Sequence, residues 1–145
     1  MAVSSSLFNS VRKYLGDGTI DWDTDTINLA LLLSTYTFDA THTIWANMST
    51  YEAAAGAGYT SGGIALASKA VTVVGATAQY TAANPTWAAL TKTFRAGVVY
   101  KVGTANGIVN PVICCIVFDT TPADIVVTAA DFTVQWNANG VFRIT

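Results

Sequence analysis

The sequence predicts a mainly β fold, an antiparallel β-sandwich or barrel-like domain with one short N-terminal helix. Three observations carry this expectation. Short segments rich in Val, Ile, Thr and aromatic residues recur along the chain, turn residues punctuate them, and only one segment shows helical spacing. At 145 residues the chain suits a single domain covering 1–145, long enough to bury one core.

Taken in order, residues 3–15 place Leu7, Val11 and Leu15 four apart with Phe8 and Tyr14 beside them, and Gly16 closes the run. That spacing predicts an amphipathic helix. Asp17-Gly18 and Asp21-Trp22-Asp23-Thr24-Asp25 read as a polar turn before a strand from Thr26 to Ser34. In that strand Ile27, Leu29, Leu31 and Leu33 fall on one face, and Ala30 and Leu32 make the other apolar too, as in a strand covered on both sides. Tyr36 to Gly63 is expected to be mostly loop, with a helical turn near Trp45 to Tyr51. Ile64 to Val74 and Ala76 to Ala82 read as a hairpin turning at Gly75.

Thr86 to Leu90 reads as a short strand. Thr93 to Val102 reads as a single strand with Phe94, Ala96, Val98 and Tyr100 on one face, pairing with Val112 to Asp119 across a loop bearing Gly and Asn. Phe132, Val134 and Trp136 alternate with polar residues, Asn139-Gly140 is a hairpin turn signal, and Val141 to Thr145 is expected to close that hairpin.

The surface is predicted to be poor in charge. Hydrophobic residues make up 52% of the chain and charged ones 11%, against about a quarter in an ordinary soluble domain. Such a surface favours an assembled protein, because a lone monomer usually relies on charge for solubility. Seven Lys and Arg against nine Asp and Glu leave a net charge of -2, and the largest basic cluster is Arg12-Lys13, which disfavours nucleic-acid binding. Residues 1–16 lack the continuous apolar run of a secretory signal. The longest solid apolar run, Val112 to Phe118, is far short of the roughly 20 residues of a transmembrane helix, so no membrane partner is expected.

Chemistry-bearing residues are sparse. Cys114 and Cys115 are adjacent, so in a strand they point to opposite faces and read as two free buried thiols suited to a reducing cytosol. With one distant His42 they lack metal-ligand spacing, and no metal or other cofactor is expected. His42 stands in a Thr-rich stretch with no activated nucleophile nearby and reads as a surface loop residue; Glu52 is the sole glutamate. No enzymatic activity and no small-molecule substrate are therefore expected. Asp21, Asp23 and Asp25 alternate as calcium ligands can, but Thr26 and Leu32 stand where an EF-hand loop needs Gly and Glu. Gly56, Gly58, Gly62 and Gly63 lack the Lys of a phosphate loop and read as turn and packing glycines. Trp22, Trp45 and Trp87, expected to be exposed, suggest sugar stacking or a protein interface.

Several of these segments together resemble a family of small tailed-bacteriophage virion structural proteins. The resemblance runs through Leu7-Phe8-Asn9 to Gly16, Ile20-Asp21-Trp22, Asp25-Thr26-Ile27 into Leu29 to Leu33, Glu52, and Gly58-Tyr59-Thr60-Ser61-Gly62-Gly63. It continues in Trp87, Phe94 to Lys101, Phe132 to Trp136 and Asn139-Gly140, so it covers nearly the whole chain, in turns and strands rather than a chemical signature. It implies a non-enzymatic particle component assembled in the host cytoplasm, of capsid cement or decoration type. Its partners would be the major capsid protein and copies of itself, with a trimer favoured by threefold lattice sites. A neck, tail or fibre component with a carbohydrate-binding sandwich is the alternative. Cys114-Cys115 and the Ala-rich run Ala53 to Ala57 depart from the family pattern. The expected interface residues are Leu7, Phe8, Val11, Arg12, Lys13, Tyr14 and Leu15, either closing one end of the sandwich or docking on a neighbouring subunit.

Overall fold

Three apolar segments that pair side by side organise the molecule. They are β2 (Ile27–Leu32), β7 (Ala96–Lys101) and β10 (Val112–Val117), and in a computed structural model describing residues 3–119, 121 and 123–145 they are the central strands of a five-stranded antiparallel sheet. Its edges are β1 (Ser4–Leu7) beside β10 and β3 (Ile64–Ala65) beside β2. Both faces of the central strands are buried, as the apolar residues on both faces of β2 predict, Ile27, Leu29 and Leu31 on one and Ala30 and Leu32 on the other. Ile27, Leu29, Leu31, Val99 and Ile116 enter one core, while Ala30, Leu32, Val98, Tyr100 and Val112 enter another on the opposite face.

The first core is closed by two small antiparallel sheets. One pairs β6 (Thr86–Phe94) with β11 (Ile125–Thr133). The other has the order β12 (Phe142–Ile144), β5 (Thr77–Thr81), β4 (Ala70–Val74). Phe94, Phe118 and Phe132 meet edge to face with centroids 5.0 to 5.6 Å apart. Trp22 meets Phe142 edge-on at 5.2 Å, and Phe142 stacks on Tyr80 at 4.3 Å. These are favoured aromatic geometries and they dominate the packing. The second core is covered by the 36–51 loop, whose two short 3-10 turns, Trp45–Asn47 and Ser49–Tyr51, lie where a helical turn is expected. Trp45 stacks flat on Tyr100 at 4.7 Å, and Met48 is fully buried. A minor hairpin of β8 (Thr104–Ala105) and β9 (Ile108–Val109) joins β7 to β10, which pair as anticipated.

Four expectations about the strand layout need correction. The segment 3–15 is not one helix: residues 4–7 form a strand on β10, and only α1 (Val11–Gly16) is helical. The exposed backbone edge of β10 offers these residues a ladder, and three consecutive serines have no strong helical preference to oppose it. Thr93 to Val102 is broken at Arg95, where the chain leaves the second layer for the first, so Phe94 enters one core and Val98 and Tyr100 the other. Ile64 to Val74 is likewise broken, at Ser68, which has φ 51°. Finally, Asn139-Gly140 does turn the chain, with a single bridge from Asn137 to Gly140, but the strands on either side do not pair with each other, because β11 joins β6 and β12 joins β5.

Gly63 is the tightest joint between loop and sheet. A methyl carbon there would lie 2.1 Å from the Leu29 carbonyl oxygen, and its φ is +86°. Gly63→Ala should therefore destabilise the fold by about 3 kcal/mol or more in denaturant titration. Gly75→Ala, at φ +63° in open space, should cost only about 1–2 kcal/mol. The two thiols do face opposite cores, Cys114 in the first and Cys115 in the second. Burial raises both, Cys115 up to about 12, so neither forms a thiolate at neutral pH. A maleimide or disulfide reagent should leave both unmodified until the protein is unfolded.

Candidate interaction surfaces

The segment expected to form an interface is mostly consumed by the domain itself. Phe8 and Val11 are wholly buried and Tyr14 nearly so, Leu7 and Leu15 are half-buried, and only Arg12 and Lys13 are exposed. Val11 and Tyr14 lie in the first core and Phe8 in the second, so the segment joins the two across the edge of the sheet. Tyr14 donates its hydroxyl to the Thr43 carbonyl, and the Asn9 amide donates to Ala40, fastening the 36–51 loop. Lys13 pairs with Asp17 one turn on. That ammonium and the Thr19 hydroxyl and amide hold the Asp17 carboxyl down at about 2. What these residues leave at the surface is the Arg12 guanidinium, the paired Lys13 ammonium and the edges of Leu7 and Leu15.

The glycine-rich motif is a fastening. Glu52 accepts hydrogen bonds from the Tyr59 hydroxyl at 2.8 Å, the Ser61 hydroxyl at 3.2 Å and the Gly62 amide. The Tyr59 oxygen in turn accepts from the Leu31 amide at 3.1 Å, while the Gly62 carbonyl accepts from Tyr100 at 2.7 Å and Asn28 at 3.0 Å. Burial lifts the Tyr59 hydroxyl far above the ordinary tyrosine range and Tyr100 to about 12. These bonds lock the 52–63 loop to β2 and β7, leaving the buried Asn28 Oδ1 as the group of the cluster without a partner.

The other candidate groups also serve local structure. Asp25 pairs with Lys101 at 2.8 Å and accepts from the Asp21 amide at 2.7 Å, while Asp21 and Asp23 are exposed. Among the described residues no three His, Cys, Asp or Glu side chains gather as metal ligands. His42 Nδ1 lies 3.2 Å from the Tyr36 hydroxyl, and Nε2 is 4.0 Å from Asp39, within the loop that covers the second core. Trp22 and Trp87 are buried rather than exposed, and Trp45 and Trp136 are half-buried against different cores. The expected platform of exposed tryptophans is therefore absent among the described residues, because the rings pack on aromatic neighbours: Trp22 on Phe142, Trp45 on Tyr100 and Trp87 on Phe132.

Two of the features open to solvent bear on assembly, and sequence periodicity singled out neither. The outer edge of β4 carries Val71, Val73 and Val74, which are 40%, 76% and 61% exposed. The second is a polar cleft of about 520 Å3 between β1 and β12, lined by Ser4, Ser5, Asn9, Arg12, Asn139 and Arg143 among others. The signal that could have found β4 is its composition, five consecutive uncharged residues with three valines. The cleft has no sequence signal, since its walls are more than a hundred residues apart.

The division of labour within the N-terminal segment is measurable. Phe8→Ala should cost about 3–5 kcal/mol of unfolding free energy, as a fully buried ring leaves a cavity. Arg12→Ala should change it by no more than about 0.5 kcal/mol.

Comparison with family models, with curated proteins and with solved structures finds no match to this chain.

Proposed function

We propose that this chain is a virion structural protein of the capsid cement or decoration type, a non-enzymatic subunit that binds the major capsid shell and neighbouring copies of itself. The observation that carries the reading is the free edge of β4. Strand edges are ordinarily blunted by charge, proline or a bulge, since an open row of N–H and C=O groups templates pairing with another chain. β4 has none of these devices between Ala70 and Val74. Its register with β5 is unbroken, and its valines face solvent. In a chain with only 11% charged residues, such an edge suits a surface covered on assembly. The resemblance to small tailed-phage virion proteins supplies the kind of assembly. Trimers follow from the threefold sites of a capsid lattice, and the energy of attachment comes from apolar area and strand pairing rather than from ion pairs.

Mass spectrometry of purified particles should find the subunit in hundreds of copies, on the order expected when every lattice site is filled. A handful of copies per particle would place it at the neck or tail instead. Val73→Lys, at an exposed position where charge is tolerated by the isolated fold, should leave the melting temperature within a few degrees and strip the subunit from particles. Undiminished occupancy in that variant would remove β4 as the attachment edge.

A further inference from the structure

The cleft between β1 and β12 is walled by two sheet edges. β1 is the outermost strand of the five-stranded sheet, bonded only to β10, and β12 is the outermost strand of the three-stranded sheet, bonded only to β5. Where the two strands meet, their Cα atoms approach within 8 Å, so the cleft lies over the junction of the two edges. Asn137 sets the spacing, donating from Nδ2 to the Val3 carbonyl at 2.9 Å and accepting from the Asn139 amide at 2.7 Å.

Charge in this cleft is one-sided. The chain has three arginines: Arg95 is paired with Asp124 at 2.9 Å, and the other two, Arg12 and Arg143, both line the cleft. Neither has a carboxylate partner among the described residues, and no acidic side chain is in the lining. Arg143 donates to Asn139 Oδ1 at 3.1 Å, which orients one side of its guanidinium and leaves its remaining donors available. The exposed Ser4, Ser5 and Asn9 add neutral hydrogen-bonding groups.

We infer that this cleft binds an extended, carboxylate-bearing segment of a partner protein. Ser4, Ser5, Asn9 and Asn139 supply neutral hydrogen-bonding groups along the cleft, and Arg12 and Arg143 supply the planar, forked donors that match a carboxylate. A volume of about 520 Å3 lies within the range of roughly 300–1,000 Å3 typical of specific ligand sites. The predominance of polar walls means that recognition runs through hydrogen bonds and charge, in contrast to the apolar β4 edge. The inference stands whether or not β4 mediates assembly.

The test uses the full chain, 15N-labelled, and a pool of end-blocked hexapeptides with aspartate fixed at alternate positions and Val, Thr, Ser or Ile elsewhere. The amide signals of residues 4–7 and 142–144 and the Arg12 and Arg143 side-chain N–H signals should shift on titration. A pool with asparagine in place of aspartate, and the Arg12→Gln plus Arg143→Gln double variant, should each bind about tenfold or more weakly. Both arginines are exposed, and an unchanged melting temperature confirms that the double variant remains folded. Equal binding of the asparagine pool would overturn the role of the carboxylate. Inorganic phosphate moving the same signals as strongly as the acidic pool would show a free-anion site rather than a peptide groove. No shift with the acidic pool would remove the site altogether.

Discussion

The structure depends on one constraint: the strands β2, β7 and β10 are buried on both faces. Such strands must satisfy their backbone groups sideways, from neighbouring strands, because neither face offers water. They must also be covered twice. The chain meets the first demand with an antiparallel ladder and the second with two different covers. Small aromatic-rich sheets lie on one side, and on the other the 36–51 loop contributes Tyr36, Met48 and the Trp45 ring. The second cover has little regular structure of its own, which explains its ties to the rest of the molecule. Asn9 and Tyr14 hold its middle, and Trp45 donates to the Asn110 carbonyl.

Two irregularities follow from this arrangement. At Arg95 the chain passes from one layer to the other, with its amide donating to the Leu32 carbonyl and its side chain paired with Asp124. Without that break, strict alternation would place Phe94 with Val98 and Tyr100 on the face covered by the loop, and the Phe94–Phe118–Phe132 cluster could not form. In β10 the register shifts between Val112 and Cys114, so Ile113 and Cys114 both enter the first core before alternation resumes at Cys115. A bulge of this kind adds one residue on a strand and bends it locally. β6 and β11 show two further shifts. There Ala89 and Ala129 adopt positive φ, and their amides are taken by the Asp131 carboxylate and the Thr91 hydroxyl.

The chain has few charged groups, and several of them serve turns: Asp17 with Lys13 and Thr19, Asp39 with Thr41, Asp119 with Thr121. The surface that remains includes an apolar edge at β4 and a polar, cationic cleft between β1 and β12. These two features differ in chemistry and in sheet, so they suit different partners or different parts of one partner. The proposed structural role relies on the first and the inferred peptide groove on the second.

What the sequence determined by itself was composition-driven. The apolar residues on both faces of β2 marked a strand covered on both sides, Cys114 and Cys115 were legible as thiols on opposite faces, and Gly75 was legible as the turn between β4 and β5. Local alternation reports which face a residue takes, and turn residues report where the chain must bend. Neither reports which strand lies alongside. Only the tertiary structure decided that residues 4–7 extend along β10 rather than coil into α1, that Arg95 divides an apparently continuous strand, and that β12 crosses to β5, where Phe142 stacks on Tyr80. The β1–β12 cleft belongs to the same class, because Arg12 and Arg143 meet only when opposite ends of the chain become edges of adjacent sheets. Strand partnership is settled by backbone hydrogen bonds and side-chain packing between residues distant in sequence, and no local pattern encodes it.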